Sequence, residues 1–281
     1  MEGNAYRPVF RVSVLAIMLF QVCALFARSA LDISLVKRGM DRAIANDASY
    51  LVVPPILAAF MYPYLRRHWS SLRSLFRPKA LTLRLFMLAV ILGLLLRVTY
   101  WALLTVLIWA GVIGNDDPDA VIGPLLGFEC PPLPVLALSV LTMSLMIPVV
   151  EEIINRGFLL HALLPRGVVA SVLLSAFLFA LAHQPGTYVA AFAAGILLAV
   201  QTLNSQSLWP SLITHSTYNL AAIVDWECFQ IIWNPAMSDQ TLITITKVAA
   251  PVAVGGILLC CWLVCKKAIG TTVSRLPGSH L

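Results

Sequence analysis

The stretch that decides the fold runs from Leu133 to Arg156 and reads LPVLALSVLTMSLMIPVVEEIINR. Its first eighteen residues carry no charge, which is close to the length that an α-helix needs to cross a bilayer. Two adjacent glutamates and an arginine follow at once. Ionisable side chains at such a depth are costly, usually face the interior of a helix bundle and mark functional sites. They also suit a solvated helix end, so both interpretations stand for this stretch alone.

The spacing of these charges predicts different roles for the two glutamates. On an α-helix, Glu152 and Arg156 are four residues apart, lie on one face and can form an ion pair. Glu151 points about 100° away from its neighbour and shares its face with Asn155. The spacing therefore predicts that Glu152 is neutralised by the arginine, while Glu151 is able to face a cavity.

The composition is that of a polytopic membrane protein. The chain has 281 residues, of which 60% are hydrophobic and 11% are charged, and its mean hydropathy is +0.88. The net charge of +6 could suggest a nucleic-acid-binding protein, but the basic residues cluster in short segments between apolar runs. That pattern is typical of cytoplasmic loops, so we expect a lipid bilayer as partner and no nucleic acid. The six cysteines lack the CxxC spacing of zinc-binding or thioredoxin-like motifs.

The apolar runs predict an all-α, polytopic transmembrane helix bundle of about eight spans with no soluble domain. The predicted spans are 9–27, 48–65, 85–113, 133–164, 167–183, 187–203, 208–224 and 242–265. The segments 28–47 and 66–84 are interpreted as loops, and Pro54 and Pro55 predict a kink in the second span. Residues 1–132 then form an N-terminal part of three spans, residues 133–225 a core, and residues 226–281 an outer loop, the last span and a tail.

The orientation follows from the basic residues. They are dense in 66–84 and at Lys266 and Lys267, whereas 114–132 and 225–241 contain no lysine or arginine. The positive-inside rule therefore places the latter two loops outside and both termini in the cytoplasm, in a plasma or inner membrane if the protein is bacterial. The 28–47 segment, with four basic residues, opposes this assignment.

Two histidines add to the polar groups within the spans. His183 closes the fifth span, and His215 lies in the seventh, with Asn219 four residues on and hence on the same helix face. A single histidine in an apolar helix commonly serves packing alone. Three helices that each offer inward polar groups supply what hydrolysis requires, namely a carboxylate and an imidazole to activate water and donors for an oxyanion. The chain has no H-E-x-x-H, G-x-S-x-G or G-x-G-D motif.

These residues resemble the CAAX protease and bacteriocin-processing (CPBP) family of intramembrane proteases, which includes the type II prenyl-protein endopeptidase. The family's motifs are E-E-x-x-x-R, F-x-x-x-H and H-x-x-x-N/D. In this sequence they stand in order as Glu151-Glu152-x-x-x-Arg156, Phe179-x-x-x-His183 and His215-x-x-x-Asn219. The segment Ser207-Leu208-Trp209-Pro210 is also similar to the family. The resemblance covers roughly residues 135–225.

The resemblance implies an intramembrane endopeptidase that cuts a membrane-associated protein or peptide. Glu151 and His183 would position and deprotonate the attacking water, and His215 and Asn219 would stabilise the tetrahedral oxyanion. Structural support would come from Glu152, Arg156 and Phe179, the last packing beneath His183. The substrate stays open between a prenylated C-terminal tail, a bacteriocin leader and the tail of a sorted surface protein.

Two alternatives to a metal-free protease remain at this point. Glutamate and histidine side chains can ligate zinc, so a zinc-dependent version is possible, although the His215–Asn219 pair suits an oxyanion equally well and no cofactor is expected. A non-catalytic protein of the same family, such as a bacteriocin-immunity factor or a scaffold, is the competing class. A transporter is disfavoured by the lack of an internal repeat.

Three further residues leave their roles open. Arg97, in the middle of the third span, can pair with a buried glutamate, reach the membrane interface or contact a carbonyl. Cys130 and Cys228 are the only cysteines in the two predicted outer loops. In an oxidising compartment they could form a bridge between helices of the core, or they could be unrelated; a bridge requires Cα atoms within about 7 Å.

Overall fold

The computed structural model describes residues 12–77, 81–109, 130–183, 187–224, 228 and 239–272. Regular structure in these residues is entirely helical, which confirms the predicted all-α class. The helices are α1 Val14–Lys37, α2 Arg42–Tyr50, α3 Val53–Leu75, α4 Leu83–Trp109, α5 Leu133–Arg166, α6 Val168–Leu181, α7 Tyr188–Ser205, α8 Trp209–Ile223 and α9 Asp239–Thr272. Each of the eight predicted spans overlaps one of the helices α1 and α3 to α9, and α2 is additional.

Several helices have the length and composition of membrane spans. Within the described residues, five helical stretches qualify, namely α1, Arg42–Leu75, the first part of α4 (Leu83–Leu103), α5 and α7. Two shorter apolar helices, α6 and Thr246–Trp262 of α9, add to them. The chain is therefore an integral membrane protein with a polytopic helix bundle.

The prediction of a loop over 28–47 is wrong for most of its length. Helix α1 continues to Lys37, and α2 begins at Arg42 behind Asp41, whose carboxylate accepts hydrogen bonds from the first backbone N–H groups. Arg28 is accommodated because its guanidinium bonds the side chains of Asn46 and Ser49 on α2 and lies 3.9 Å from the centre of the Tyr50 ring. The charges in this segment therefore stabilise a helix hairpin.

The prolines of the second span begin a helix and do not kink one. Pro54 and Pro55 stand in the first turn of α3, where a missing N–H has no helical partner to lose. Helix α3 also extends through most of the segment that was predicted as a basic loop, and its backbone is distorted at His68. Only residues 76–82 are left to connect α3 to α4.

Helix α5 is the element on which the core is arranged, and it is not a regular α-helix. Two wider π-helical segments, Val140–Met146 and Ile153–Leu159, flank the short α-helical segment that ends in the two glutamates. At the end of the first, the N–H of Ile147 bonds the carbonyl five residues back, on Thr142. Such π segments are rare and occur frequently at functional sites.

A tight turn folds α6 back against the end of α5. Gly167, with φ of +99°, forms this turn directly after Arg166. Counted from the turn, Glu151 lies 15 residues before Arg166, and His183 lies 15 residues after Val168. The antiparallel hairpin therefore brings Glu151 and His183 to a similar depth in the bundle.

Close helix contacts place α4 and α7 beside the core. Helix α4 packs on α8 at Gly93, where a Cβ atom would lie 2.6 Å from the carbonyl oxygen of Thr214. Helix α7 packs on α6 at Gly195, where a Cβ atom would lie 3.0 Å from the Cα atom of Ala176. Small residues at such crossings allow the backbones of membrane helices to approach closely.

A disulfide joins Cys130 and Cys228, whose Cα atoms are 4.1 Å apart. The disulfide connects the segment just before α5 to the segment just after α8, across 98 positions of sequence. Both cysteines lie at the same face of the bundle, which is consistent with four membrane crossings, α5 to α8, between them. The remaining residues of the predicted outer loops and the predicted break at 184–186 lie mostly outside the described residues.

Candidate active site

Glu152 and Arg156 form the buried ion pair that their spacing predicts. The guanidinium Nη1 of Arg156 lies 3.1 Å from Oε1 of Glu152, and both side chains are about 1–2% exposed. The guanidinium also lies 4.1 Å from the centre of the Phe179 ring, so α6 covers this pair. An uncompensated charge at such a position would be strongly destabilising, which makes the two residues dependent on one another.

His215 connects the two glutamates. Its Nδ1 lies 3.0 Å from Oε1 of Glu152, and its Nε2 lies 3.6 Å from Oε2 of Glu151. The Glu151 side chain is 24% exposed, compared with 1% for Glu152. The adjacent carboxylates thus differ in exposure, as expected. Glu152 is enclosed between Arg156 and His215, and Glu151 is partly exposed.

His183 is held beside His215 by Phe179. The Nδ1 atom of His183 is 2.8 Å from the carbonyl oxygen of Phe179, one turn earlier. The two rings are 4.5 Å apart between centroids, and the Phe179 ring is 5.8 Å from that of His215. Phe179 therefore contacts both histidines as well as Arg156.

The side chain of Asn219 supplies a hydrogen-bond donor to a backbone carbonyl of α5 that lacks its usual N–H partner. The Met143 carbonyl has no donor from Ile147, which bonds Thr142, and none from Pro148, which has no N–H. The Nδ2 amide of Asn219 donates to this carbonyl at 2.8 Å. The proline in α5 and the asparagine in α8 are thus complementary, and the bond fixes the orientation of the Asn219 amide.

A cavity of about 190 Å³ opens between α4, α6, α7 and α8. Three of the four proposed catalytic residues, His183, His215 and Asn219, line it, and the fourth, Glu151, reaches the group through its contact with His215. The rest of its wall is formed by Leu96, Arg97, Tyr100, Phe179, Thr187, Ala190, Ala191, Ala194, Leu198, Thr214 and Tyr218. The structure therefore brings the predicted site residues of three helices together around one partly polar space.

A second cavity, of about 90 Å³, lies between α3 and α5. Every residue that lines it is apolar: Pro54, Leu57, Ala58, Met61, Leu65, Val150, Ile153, Ile154 and Phe158. Helix α5 thus has an apolar cavity on the side that faces α3.

The start of α8 is anchored to the end of α3. The N–H of Leu208 and the hydroxyl of Ser207 both donate to the carbonyl of Leu75, at 2.9 and 3.1 Å. The indole N–H of Trp209 donates to the carbonyl of Phe76 at 3.2 Å. The segment Ser207-Leu208-Trp209-Pro210 therefore fixes the height of the helix that carries His215 and Asn219.

The glutamate and histidine side chains of the site are types that can ligate a metal ion. In the described part of the chain, no three His, Cys, Asp or Glu side chains are arranged so that they could hold a metal ion. Nδ1 of His215 bonds Glu152, and Nδ1 of His183 bonds a backbone carbonyl. In this arrangement these residues do not fit a metal ion.

Comparison with known families supports the assignment that the motifs indicated. Residues 133–221 match the family model described as type II CAAX prenyl endopeptidase Rce1-like. The match covers about a third of the chain. It confirms the predicted resemblance and supports, at the level of the family, a CAAX-type intramembrane protease. No curated protein and no solved structure matches the chain.

Sequence reasoning missed the contacts that join α5 to α8 away from the glutamates. Besides the bond of Asn219 to Met143, the hydroxyl of Ser144 donates to the carbonyl of Ser216 at 2.9 Å. A sequence signal existed for the first of these contacts, namely Pro148, which lacks the N–H group that could donate to the Met143 carbonyl.

Proposed function

We propose that the chain is an intramembrane endopeptidase that hydrolyses a peptide bond of a membrane-associated protein or peptide, with water activated by Glu151 and His183. The observation that carries this proposal is the series of contacts from Glu152, hydrogen-bonded to His215, to Glu151, 3.6 Å from the other nitrogen of His215, at the wall of a cavity that His183 and Asn219 also line. Such a series resembles the arrangement in which a buried carboxylate orients a catalytic imidazole.

His183 is suited to accept a proton from water. Its Nδ1 can bond the Phe179 carbonyl only as an N–H donor, because a carbonyl oxygen accepts and does not donate. In the neutral ring this leaves the lone pair on Nε2. A base in this tautomer, together with the partly exposed carboxylate of Glu151, can orient and deprotonate a water molecule.

His215 and Asn219 are suited to stabilise the oxyanion. Glu152 accepts from Nδ1 of His215, and the second carboxylate, Glu151, lies 3.6 Å from Nε2; when the ring is protonated, both of its nitrogens are donors. The Asn219 amide uses one N–H on the Met143 carbonyl and retains the other. Both residues then offer a donor toward negative charge that develops in the cavity.

The reaction balances without a further reactant. The water oxygen attacks the carbonyl carbon of the scissile bond as its proton passes to Glu151 or His183. The carbonyl oxygen becomes the oxyanion, held by His215 and Asn219. The C–N bond then breaks as the stored proton moves to the leaving nitrogen, which yields a carboxylic acid and an amine. Glu152, Arg156 and Phe179 position these groups and do not take part in the proton transfers.

The same proposal includes the orientation of the protein. The Cys130–Cys228 bridge suits an oxidising compartment, and the loops that contain these cysteines lack basic residues. We infer that this face is extracytoplasmic and that both termini are cytoplasmic. If the protein is bacterial, the membrane is the plasma or inner membrane.

The test is a cleavage assay in proteoliposomes with an internally quenched peptide that carries a farnesylated cysteine and an apolar C-terminal tripeptide. Glu151→Gln and His183→Ala are each expected to reduce the rate by about 10³-fold or more, as for a lost acid–base group. Asp41→Asn is the matched control, because it makes the same carboxylate-to-amide change at a helix cap where asparagine serves equally well.

A strong zinc chelator is included in the assay, and the proposal expects no change in rate. Loss of activity that returns with added zinc would replace the metal-free mechanism by a zinc-dependent one. Full activity of the Glu151→Gln protein would overturn the proposed catalytic role of this carboxylate.

A further inference from the structure

Glu151 borders a part of the bundle that lies outside the two cavities. Its side chain is 24% exposed, yet it lines neither the cavity between α4, α6, α7 and α8 nor the apolar cavity beside α3. The charge of Glu151 acts on Tyr50, at the end of α2. One turn further along α5, Asn155 accepts a hydrogen bond from Nε2 of Gln21 on α1, at 3.5 Å. Glu151 therefore lies beside α1 and α2 as well as beside His215.

A network of polar side chains joins α1 and α2 to the first part of α5. The hydroxyl of Ser139 on α5 donates to Asp47 on α2, which also accepts from the amide of Asn46 at 3.3 Å. The guanidinium of Arg28 on α1 donates to the side chains of Asn46 and Ser49. Asp47, Ser49 and Ser139 are at most 5% exposed. These polar groups therefore lie inside the bundle and not on its lipid-facing surface.

Two buried oxygen atoms beside this network have no hydrogen-bond partner among the described residues. One is Oδ1 of Asp32, which is four residues from Arg28 on α1 and whose charge also acts on Tyr50. The other is Oε1 of Gln21, whose side chain is 7% exposed. A buried acceptor without a donor is costly, and ordered water commonly supplies the missing bond. The two oxygens therefore indicate positions for water on either side of the network.

We refer to the polar groups that lead from Asp32 toward Glu151 as the polar seam. It consists of Arg28, Asp32, Asn46, Asp47, Tyr50 and Ser139.

The polar seam begins near the face of the bundle that contains the Cys130–Cys228 bridge. The turn between α1 and α2, at 38–41, is exposed. Asp47 comes six residues after this turn, and its partner Ser139 comes nine residues after Cys130. The turn and the bridge therefore lie at the same face, and the seam leads from this face past Tyr50 toward Glu151.

The substrate and the attacking water need separate routes to the site. In the proposed reaction the scissile carbonyl lies in the cavity, against His215 and Asn219. This cavity measures about 190 Å³ and has a mainly apolar wall, whereas one water molecule takes up about 30 Å³ in the liquid. A bound peptide leaves little room for water there, although each cleavage consumes one molecule. Water that reaches Glu151 from the side of α1 and α2 does not have to pass the peptide.

We propose that the polar seam conducts water to Glu151 from the face that contains the Cys130–Cys228 bridge, while the peptide occupies the cavity. The proposal rests on the proposed function, because the water that it delivers is the nucleophile of that reaction. In the proposed orientation this face is extracytoplasmic. Asp32 keeps the outer part of the seam hydrated, and it is a positioning residue because it does not touch the reacting atoms.

The first experiment detects water in the seam and does not depend on cleavage. X-ray pulses generate hydroxyl radicals from the water inside the full-length protein in lipid nanodiscs, and mass spectrometry measures how fast each tyrosine is modified. Tyr64 is the matched control, since it is a partly buried tyrosine on α3 whose ring lies against Phe20, 6.5 Å between centroids. Two variants are compared with the wild type. Asp32→Leu introduces an apolar side chain of similar size, and Asp32→Asn retains a polar one.

Tyr50 of the wild type is expected to be modified several-fold faster than Tyr64. Asp32→Leu should lose most of the Tyr50 modification, and Asp32→Asn should retain it. The rate at Tyr64 stays low in a folded variant, so it also reports whether Asp32→Leu has folded. The wild-type comparison decides whether the seam is hydrated even if that variant does not fold. Equally slow modification of both tyrosines, or a Tyr50 rate that Asp32→Leu leaves unchanged, would overturn the proposal.

The second experiment separates this proposal from the proposed function. The farnesylated, quenched peptide is offered to the same three proteins. The kcat of Asp32→Leu should fall several-fold with KM unchanged, because the peptide still binds while water reaches Glu151 more slowly, and Asp32→Asn should restore most of the rate. An unchanged kcat in Asp32→Leu, despite the loss of Tyr50 modification, would show that water arrives by another route and overturn the proposal.

The two experiments together distinguish the two failures. Cleavage by a wild type in which Tyr50 is modified as slowly as Tyr64 would leave the protease function standing and overturn the seam. Fast modification of Tyr50 that Asp32→Leu removes, with no cleavage by any of the three proteins, would overturn the protease function and leave the hydrated seam standing.

Discussion

The two faces of α5 differ in a way that explains how this helix can carry charges inside a membrane. On the side of α3, the cavity is lined only by apolar residues, including Val150, Ile153 and Ile154, which come directly before and after the glutamates. On the side of α8, both glutamates contact His215, and the Met143 carbonyl accepts a hydrogen bond from Asn219. One turn of helix thus presents an apolar face and a polar face to two neighbours.

The comparison shows that the two glutamates of α5 lie on the face where each of them has a partner. Glu152 is enclosed, and Arg156 and His215 both contact it. Glu151 is more exposed and has a looser contact with His215. We therefore expect substitutions to differ sharply in effect according to the face of α5 on which they fall.

The largest effect on stability is expected for Arg156→Ala. It leaves the Glu152 carboxylate in a dry site without its main counter-charge, which costs about 3–5 kcal/mol. Thermal unfolding in detergent and the yield of folded protein should both fall, together with activity. Arg166→Ala, an exposed arginine at the end of the same helix, is the control and should be neutral. An Arg156→Ala protein of full stability but no activity would show that the arginine acts on the substrate.

An intermediate effect is expected for Asn219→Ala, on the polar side of the helix. Loss of an oxyanion donor reduces the turnover rate by roughly 100-fold or more. The same change removes the donor to the Met143 carbonyl, so a loss of stability of about 1–3 kcal/mol should accompany it. His215→Ala is expected to reduce the rate to a similar extent.

Ser144→Ala separates these two contributions of Asn219. It removes another side-chain bond between α5 and α8, to the carbonyl of Ser216, but no group that lines the cavity. It should therefore reduce stability without a comparable loss of rate. If its rate fell as far as that of Asn219→Ala, the helix contact and not the oxyanion would account for both variants.

The smallest effect is expected on the apolar side, for Ile154→Val. Ile154 is buried against α3, and the loss of one methylene costs about 0.5–1.5 kcal/mol of folding stability. Activity at a temperature well below the unfolding midpoint should be unchanged. A large loss of rate would mean that this cavity is coupled to the reaction, and the contrast between the two faces of α5 would not hold.

The sequence predicted most of the helices because apolar runs of membrane length are a strong signal. It failed at 28–47, where Arg28 and other charges indicated a loop. Those charges are accommodated within a helix hairpin by Asn46, Ser49 and the Tyr50 ring, and such pairing depends on tertiary contacts that no local pattern contains. Pro54 and Pro55 were interpreted as a kink because they lie among apolar residues. Such residues occur both in the first turn and in the interior of a membrane helix, so the sequence did not show where the helix begins.

For the candidate site, the sequence predicted the Glu152–Arg156 pair, since two residues four apart on a helix meet by geometry alone. It could not predict that His215 lies between the two glutamates, because that depends on the height and rotation of α8 relative to α5. The π segments of α5 change the register of its side chains, and Met143 becomes the partner of Asn219 only in that register. The catalytic roles of Glu151, His183, His215 and Asn219 stay predictions until cleavage is measured.

The bridge between Cys130 and Cys228 also determines how this protein has to be produced and handled. It links the two ends of the segment from α5 to α8, which contains the proposed site, so a preparation without it lacks a covalent constraint on the position of α8 relative to α5. Synthesis in a reducing extract, or purification with a strong thiol reductant, would yield that open form. Expression in a host that exports these segments to an oxidising compartment, followed by purification without reductant, keeps the linked form. The migration of reduced and unreduced samples in gel electrophoresis, compared before every assay, then serves as a quality control for the active-site region.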